Sequence, residues 1–451
     1  MNKMLEIPRP DDEQRETAVL VTVVLPGTAI WLAEDHLQEL AALADTAGAD
    51  VVERVFQRKM KLDSATYIGG GKVSEVAGYC KQHKANLVIF DDDLTPVQVR
   101  NLENKLKVKV LDRSALILDI FARRARTREA KVQVELAQME YYYPRLTKMW
   151  SHLRGQQGGI GFRGPGETQL EVDRRAVQRR ITSLKSELKK IAKQRETQRS
   201  GRREQPTAAL VGYTNVGKST LLNSLSNTND AFVENRLFAT LDSKVRRIEV
   251  TPGRPILVID TVGFIRKLPH HLVASFRSTL EEAQHAQVLV HVADLSHPHV
   301  EDQITQTKKV IKEMGLEEKP QQLVFNKIDA APTPGLIEKM RDKFPGALFI
   351  SAEKGMRLWE LTERLEELLY VGAAEAQLLL DSQQLKLLDE FQGRLVIRDR
   401  EWSDGQIRLF LSGPRETLTK ALRRLGNPIV LSSRDLPDST TRKWKKTEKH
   451  E

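Results

Sequence analysis

The feature that most constrains this chain is a glycine-rich stretch that directly follows a short apolar run. Thr207–Val211 (TAALV) predicts a strand, Gly212–Ser219 (GYTNVGKS) follows it at once, and the run TLLNSLS after that predicts a helix. A strand, a Gly-x-x-x-x-Gly-Lys-Ser loop and a helix in this order are typical of a phosphate-binding loop. Its backbone N–H groups and the helix N-terminus favour a bound phosphate. We expect Lys218 to bridge the β- and γ-phosphates and Ser219 to bind Mg²⁺.

Three later stretches predict that the base is guanine. Ile256–Asp260 reads as a strand that ends in a carboxylate for the Mg²⁺ shell, and the N–H of Gly263 can then meet a γ-phosphate. Asn326–Asp329 (NKID) follows another apolar run, and the Asp329 carboxylate can accept both N–H groups of a guanine edge, which adenine does not offer. Ser351–Glu353 completes the set, with the Ala352 backbone facing guanine O6. This pattern disfavours an ATPase.

The segment between the first and third of these elements predicts a switch. Thr240 lies in Phe238–Asp242 (FATLD), where a residue that senses the γ-phosphate and binds Mg²⁺ belongs. The predicted catalytic residues are Lys218, Thr240 and Gly263. The predicted nucleotide-binding residues are Gly212, Tyr213, Thr214, Asn215, Val216, Gly217, Lys218, Ser219, Thr220, Phe238, Ala239, Thr240, Leu241, Asp242, Asp260, Thr261, Val262, Gly263, Asn326, Lys327, Ile328, Asp329, Ser351, Ala352 and Glu353.

The residue after Gly263 bears on the rate of hydrolysis. Ras-like enzymes place a glutamine there to orient the attacking water. Here the position is Phe264, which can neither donate nor accept a hydrogen bond. We therefore predict slow intrinsic hydrolysis, with the attacking water positioned by another group or by the ribosome. The plainer interpretation, that Phe264 packs under the switch, is compatible with this prediction.

The first 125 residues alternate strand and helix patterns, which favours a parallel sheet. Ala18–Leu25, Asn86–Asp91 and Lys107–Leu111 predict strands, and Pro96–Leu106 predicts a helix. The stretch Gly69–Lys72 (GGGK) lacks the spacing of a phosphate-binding loop, so we interpret it as a turn or an RNA-facing loop.

Residues 126–205 differ in pattern from the first 125 residues, and they carry the net positive charge of the chain. Two apolar seams at heptad spacing predict an antiparallel helical hairpin, although two amphipathic helices on a core would show the same pattern. Their residues are Val132, Leu136, Met139, Tyr143 and Leu146 in the first, and Val177, Ile181, Leu184, Leu188 and Ile191 in the second. From Pro144 to Gln205 there are 16 Lys and Arg against six Asp and Glu, an excess that equals the net charge of +10 for all 451 residues.

The loop between the two seams is rich in glycine and arginine. Residues 151–169 hold six glycines, Arg154 and Arg163, with Phe162 among them. Arginine and an aromatic side chain on a glycine-rich tip suit an RNA backbone and unstacked bases, whereas a solvated helix face is the plainer alternative. We predict RNA contacts for Arg154, Arg163, Arg174 and Arg175.

The cysteine count and the lengths of the apolar runs limit the cellular compartment in which we expect the protein. A single cysteine, Cys80, excludes an internal disulfide and favours a reducing compartment. No run reaches the roughly 18 apolar residues of a membrane span, and the first 16 residues do not resemble a signal peptide. We expect a cytoplasmic protein without stable membrane insertion.

Several stretches together resemble a known family. Gly159–Glu171 (GIGFRGPGETQLE), with Asp173, Arg174 and Arg175 after it, resembles the signature of the HflX family of ribosome-associated GTPases. Tyr67–Lys72 and Phe90–Pro96 are similar to the N-terminal domain of that family. The resemblance covers residues 15 to 371.

This resemblance implies a function and a partner. It implies a protein that uses GTP, GDP and Mg²⁺, binds the large ribosomal subunit and its rRNA, and splits stalled or idle ribosomes in stress. The basic hairpin would reach rRNA near the peptidyl-transferase centre, and we expect a monomer away from the ribosome. A GTP-gated RNA chaperone or a ribosome-assembly GTPase stays open, while a membrane signalling GTPase is disfavoured because no lipidation motif is present.

The predicted architecture is a multidomain α/β protein. Residues 1–125 form an α/β N-terminal domain, residues 126–205 the hairpin arm, residues 206–372 a P-loop GTPase domain, and residues 373–451 a small α+β domain with a basic tail. In that last part, residues 394–398 and 406–411 predict strands and residues 414–425 a helix.

Overall fold

The computed structural model describes fourteen stretches of the chain, and the statements below concern these alone. They are residues 15–27, 29–149, 165–200, 205–226, 237–238, 243–251, 254–267, 282–331, 333–370, 373–391, 395–403, 406–426, 428–434 and 442–443. The chain divides into two compact units. The first comprises Met1–Ala192 with Glu234–Asp242 and Ile265–Arg277, and the second comprises Lys193–Val233, Ser243–Phe264 and Ser278–Glu451.

The first unit holds a four-stranded sheet in the order β2-β1-β3-β4, in which every pair is parallel as predicted. Consecutive apolar residues bury both faces of β1 and β3, which is typical of a parallel sheet covered by helices. Its elements are β1 (Glu16–Val24), α1 (Ile30–Thr46), β2 (Ala49–Arg58), α2 (Gly70–Gln82), β3 (Leu87–Phe90), α3 (Pro96–Leu106), β4 (Lys109–Asp112), α4 (Arg113–Arg124), α5 (Arg128–Met149) and the part of α6 (Pro165–Ser200) that ends at Ala192.

The glycine stretch at the start of α2 differs from the prediction. We expected a turn or loop, but Gly69 is the N-cap residue and Gly70 begins the helix. The buried side chains Val73, Val76 and Cys80 lie at helical spacing and pack into the core of this sheet. Their burial outweighs the low helix propensity of the two leading glycines, about 1 kcal/mol each.

The two helices of the hairpin pack along the predicted seams. Val132 and Leu136 of α5 form one buried cluster with Ile181 and Leu184 of α6. Met139, Tyr143, Val177 and Leu188 are partly buried against it. Each fully buried leucine contributes about 2 kcal/mol, so the seam rather than the charged surface holds this arm together.

The second unit holds two sheets. The first has the order β10-β9-β8-β5-β7-β6 and is parallel except at β6. Its elements are β5 (Thr207–Gly212), α7 (Lys218–Ser226), β6 (Lys244–Thr251), β7 (Arg254–Asp260), β8 (Val288–Asp294), α8 (Val300–Glu313), β9 (Gln321–Asn326), a 3₁₀ turn (Ile328–Ala330), α9 (Leu336–Lys343), β10 (Leu348–Phe349) and α10 (Leu358–Leu369).

The second sheet of this unit has the order β12-β13-β11-β14-β15 and buries one face against α12. Its strands β11 to β14 pair antiparallel. Its elements are β11 (Ala373–Leu380), α11 (Ser382–Leu387), a 3₁₀ turn (Leu388–Phe391), β12 (Val396–Ser403), β13 (Gln406–Pro414), α12 (Arg415–Arg424), β14 (Ile429–Arg434) and β15 (Arg442–Lys443).

Candidate nucleotide-binding site

The predicted nucleotide residues gather at one edge of the six-stranded sheet. β5 ends at Gly212, β7 at Asp260 and β9 at Asn326, and all three strands run parallel. The carboxyl ends of parallel strands meet at one edge, where ligands bind in open α/β sheets. The tertiary structure therefore brings together loops that lie more than a hundred residues apart.

Three glycines in this edge cannot be replaced without a clash. Gly212 has φ +151°, and a Cβ there would lie 2.2 Å from the Val292 carbonyl oxygen. Gly217 has φ +91°, and its Cβ would lie 2.3 Å from Nδ2 of Asn326. A Cβ on Gly263 would lie 2.7 Å from the Thr214 Cα and 2.9 Å from Lys218 Nζ. The loops are thus packed against one another at distances that only glycine permits.

Lys218 lies buried at the start of α7. Its Nζ donates hydrogen bonds to the Tyr213 carbonyl at 2.7 Å and to the Gly212 carbonyl at 3.2 Å. Burial lowers the pKa of Lys218 to about 8, and the nearby charge of Asp260 opposes that shift. A buried ammonium that is held by loop carbonyls is well suited to bind an anion at this edge.

Ser219 and Asp260, which come from two different elements, lie in direct contact. Ser219 Oγ donates a hydrogen bond of 2.6 Å to Asp260 Oδ2, and Asp260 is fully buried. A hydroxyl and a carboxylate oxygen are ligands of the kind that Mg²⁺ prefers. The Ser219 hydroxyl and the Asp260 carboxylate therefore fit the predicted Mg²⁺. Thr240, also predicted to bind Mg²⁺, lies outside the described residues.

The loop Asn326–Asp329 is predicted to bind the guanine base, and we call it the base-recognition loop. It is bonded to the phosphate-binding loop through Asn326. The Asn326 side chain donates to the Val216 carbonyl at 2.8 Å and accepts from the Ala352 N–H at 2.9 Å. Lys327 Nζ donates to the Asn215 carbonyl at 2.9 Å. Asp329 is exposed, as a group that binds a base edge must be. The Ala352 N–H, predicted to face guanine O6, is here bonded to Asn326.

Two residues of this loop system escaped the sequence analysis. Asp294 ends β8 and pairs with Lys327 at 2.6 Å, while the Ser224 hydroxyl of α7 donates to the Ala352 carbonyl at 2.6 Å. The only available signal was the polar residue at the end of the apolar strand β8. Asp294 thus holds Lys327 of the base-recognition loop, and Ser224 holds the Ser351–Glu353 stretch.

The segment that follows β7 is fastened to the phosphate-binding loop by its backbone. The Phe264 N–H donates to the Gly212 carbonyl at 3.0 Å, and the Thr214 N–H donates to the Phe264 carbonyl at 2.8 Å. Phe264 is buried in the core of the sheet, and the Thr261 hydroxyl donates to the Leu210 carbonyl. The Thr261 side chain therefore has a structural partner inside the sheet.

The predicted switch residues fall largely outside the structural description. Ala239, Thr240, Leu241 and Asp242 lie outside the described residues. Phe238 is described, and it packs on Phe121 of α4 within the first unit.

Of the four arginines predicted to contact RNA, only two lie within the described residues. Arg154 and Arg163 lie outside the described residues, whereas Arg174 and Arg175 are exposed on α6. Arg174 Nε donates to the Tyr143 hydroxyl at 3.0 Å, with its guanidinium over that ring, and Arg175 pairs with Glu171. Both charges remain accessible to a partner.

The described residues show neither a membrane-spanning helix nor a cluster of metal-binding side chains. None of their helices is both long and apolar enough to cross a membrane. They also contain no group of three or more His, Cys, Asp or Glu side chains that could hold a metal ion.

Three family models match consecutive parts of the chain. The model described as GTP-binding GTPase N-terminal matches residues 34–122, and GTP-binding GTPase Middle Region matches residues 124–202. The model described as 50S ribosome-binding GTPase matches residues 207–327, which contain the phosphate-binding loop and end at Lys327, the second residue of NKID.

Curated relatives match most of the chain. GTPase HflX of Caldanaerobacter subterraneus is 45% identical over 418 residues, 92% of this chain and 94% of its own. GTPase HflX of Escherichia coli is 41% identical, covering 84% of this chain and 90% of its own. The chain belongs to the HflX family of GTPases. The predicted resemblance of the chain to the HflX family is thereby confirmed.

Membership of the HflX family establishes a P-loop GTPase that binds guanine nucleotides and hydrolyses GTP. A crystal structure of a GTP-binding protein from Sulfolobus solfataricus in complex with GDP is also similar, with a TM-score of 0.43 and 25% identity. It covers 78% of this chain and 98% of its own.

Proposed function

We propose that this HflX GTPase binds the large ribosomal subunit through its basic hairpin and separates the subunits of stalled or idle ribosomes under stress. The observation that carries the proposal is the seam-packed hairpin α5–α6. Residues 144–205, which include α6 and the end of α5, carry an excess of ten positive charges, and α6 exposes Arg174 and Arg175. A cationic arm of this kind suits the phosphate backbone of rRNA.

The nucleotide site supplies the control of this binding. In this proposal Lys218 bridges the β- and γ-phosphates, and the Gly263 N–H meets the γ-phosphate. Ser219 and Asp260 would hold Mg²⁺, together with Thr240, and the cation would neutralise developing charge on the phosphates. Asn326 and Lys327 position the base loop, while Asp329 selects guanine. The γ-phosphate orders the switches, which favours binding, and hydrolysis then releases the protein.

A gradient profile of ribosomes tests the proposal. Ribosomes treated with the protein and GTP should separate into subunits, and a nonhydrolysable GTP analogue should hold the protein on the large subunit. Lys218→Ala should abolish both effects. Intact ribosomes throughout would contradict the proposal.

A charge variant tests the role of the arm. Arg174→Glu with Arg175→Glu should weaken association with the large subunit, whereas Lys343→Glu, an exposed lysine of α9, should not. Loss of one phosphate contact typically lowers binding and flattens its dependence on salt. Binding to naked RNA but not to ribosomal subunits would favour the RNA-chaperone alternative.

A further inference from the structure

The hydroxyl of Thr214, in the phosphate-binding loop, is buried and has no partner. Thr214 is 7% exposed, and its Oγ1 makes no hydrogen bond within the part of the chain that the structure describes. Buried hydroxyl groups are nearly always hydrogen-bonded, because leaving one unpaired destabilises a protein. The loop therefore keeps a group that costs stability and that no structural contact accounts for.

Thr214 borders the place where the γ-phosphate is predicted to bind. A Cβ on Gly263 would lie 2.7 Å from the Thr214 Cα, 2.8 Å from its Cγ2 and 2.9 Å from Lys218 Nζ. Threonine adopts more than one staggered rotamer, and a rotation about its Cα–Cβ bond exchanges the hydroxyl and the methyl group. The hydroxyl can therefore reach the Gly263 side of the loop without any movement of the backbone.

Phe264 supplies no group that could orient a water molecule. Its side chain is 3% exposed in the core of the sheet and cannot form a hydrogen bond. Its N–H donates to the Gly212 carbonyl, and its carbonyl accepts from the Thr214 N–H. A glutamine at this position orients the attacking water in Ras-like enzymes, so another group has to do so here.

Two side chains lie nearest to a Cβ at Gly263, and of these the Thr214 hydroxyl alone can accept a hydrogen bond. The Lys218 ammonium is a donor without an acceptor, and it already donates to the Gly212 and Tyr213 carbonyls. A group that orients an attacking water accepts a hydrogen bond from one of its O–H groups. The Thr214 Oγ1 is available for this bond because no other described group bonds it.

We propose that Thr214 is a catalytic residue of GTP hydrolysis, whose hydroxyl accepts a hydrogen bond from the attacking water. The proposal rests on the proposed role of the Gly263 N–H at the γ-phosphate. The water oxygen bonds to the γ-phosphorus while the bond from that phosphorus to the β–γ bridging oxygen breaks, which gives GDP and phosphate. One water proton stays on the phosphate, the other passes to solvent, and Thr214 keeps its own proton.

This hydrogen bond acts on the rate and not on the affinity. It forms only as the water attacks, so it lowers the barrier without adding to the binding of GTP or GDP. Its removal should lower kcat and kcat/KM equally and leave KM unchanged. A purely structural role of the hydroxyl in the loop would instead change the affinity for both nucleotides.

Thr214→Val in the full chain tests the proposal, because it replaces the hydroxyl by a methyl group of similar size. Single-turnover hydrolysis by the free protein should slow about tenfold, the loss expected for one hydrogen bond, and the affinity for GDP should not change. Thr214→Ser keeps the hydroxyl and should hydrolyse GTP close to the parent rate. A parent rate in Thr214→Val, an equal loss in Thr214→Ser, or a matching loss of GDP affinity would overturn the proposal.

Thr307→Val is the matched control, because it removes a hydroxyl in the same situation elsewhere in the second unit. Thr307 lies on α8, is 1% exposed, and its Oγ1 is also unpartnered among the described residues. Both valine variants should raise the melting temperature, since each removes an unpaired buried hydroxyl, but Thr307→Val should hydrolyse GTP at the parent rate. Equal slowing in both variants would contradict the proposal. So would a melting temperature of Thr214→Val below that of the parent, which would reveal a structural bond of the hydroxyl.

Gly263→Ala, measured in the same series, separates the proposed role of Thr214 from that of Gly263. If it weakens binding of a nonhydrolysable GTP analogue more than that of GDP while Thr214→Val keeps the parent rate, the Thr214 proposal fails and the role of Gly263 stands. If it leaves the ratio of the two affinities unchanged, the role of Gly263 fails, and the Thr214 proposal fails with it. All these assays use the protein without ribosomes, so neither failure bears on ribosome binding by the hairpin.

Discussion

Two parallel sheets of this protein place polar residues at their carboxyl edges but use opposite charges. The edge of the six-stranded sheet carries glycine loops, backbone N–H groups and the buried Lys218. The edge of the four-stranded sheet carries the buried carboxylates of Asp91 and Asp112. The same architecture thus forms an anion site in one unit and an acidic cluster in the other.

This difference shows which of the two sheet edges can bind an external ligand. Asp112 accepts hydrogen bonds from the Tyr141 hydroxyl at 2.8 Å and from Arg145 at 2.9 Å, and Asp91 is neutralised by Arg113 and Lys267. Burial still raises the pKa of Asp112. The acidic edge is satisfied by side chains of its own chain, whereas the glycine edge offers donors to a phosphate.

The largest expected effect comes from removing the cation of the glycine edge. Lys218→Ala should weaken nucleotide binding about a thousandfold, because losing one partner of a buried charged hydrogen bond costs about 4 kcal/mol. Fluorescence titration with labelled GDP measures it. Ser219→Ala should also lose affinity, and retained binding in both variants would contradict the phosphate-loop assignment.

The next effect comes from removing a cation of the acidic edge. Arg113→Met should destabilise the first unit by about 3 kcal/mol, because it leaves the buried Asp91 and the partly buried Glu39 with one partner fewer each. Hydrogen exchange of the β3 amides should then be about a hundredfold faster. Arg128→Met, at an exposed pair, should cost less than about 1 kcal/mol. Equal effects of both changes would remove the contrast between the two edges.

A smaller effect is expected from pH. The protonated Lys218 binds phosphate, and its pKa of about 8 means that the free protein loses this charge as pH rises through 8. Affinity for GDP should therefore fall about sevenfold between pH 7.0 and 8.8. Calorimetric titration measures this loss, and guanosine, which has the same base without phosphate, should not show it. A flat profile for GDP would place the Lys218 pKa well above 8.

The smallest effect is expected at Phe264. Phe264→Gln should change basal GTP turnover by less than about twofold, about 0.4 kcal/mol in the barrier, because the side chain at this position packs in the core. Single-turnover phosphate release checks this. A large acceleration would show that the missing amide limits hydrolysis and that an amide at this position can reach the attacking water.

Local patterns explain why so much of the nucleotide site could be predicted. The phosphate-binding loop is a contiguous run whose spacing alone indicates its chemistry, and α3 was predicted at its observed bounds because Thr95 caps it and Pro96 begins it. The start of α2 was predicted wrongly, since three glycines favour a loop locally while the buried face of the helix decides otherwise. β2 and α4 were not predicted at all.

By itself, the sequence determined the anion site, the parallel sheets and the seams of the hairpin, because each depends on the period or spacing of neighbouring residues. Only the tertiary structure decided which charged and polar side chains contact each other. Lys267 pairs with Asp91 across 176 residues, and Ser219 bonds to Asp260 across 41. Such pairings depend on how strands and helices pack, so no local pattern of residues encodes them.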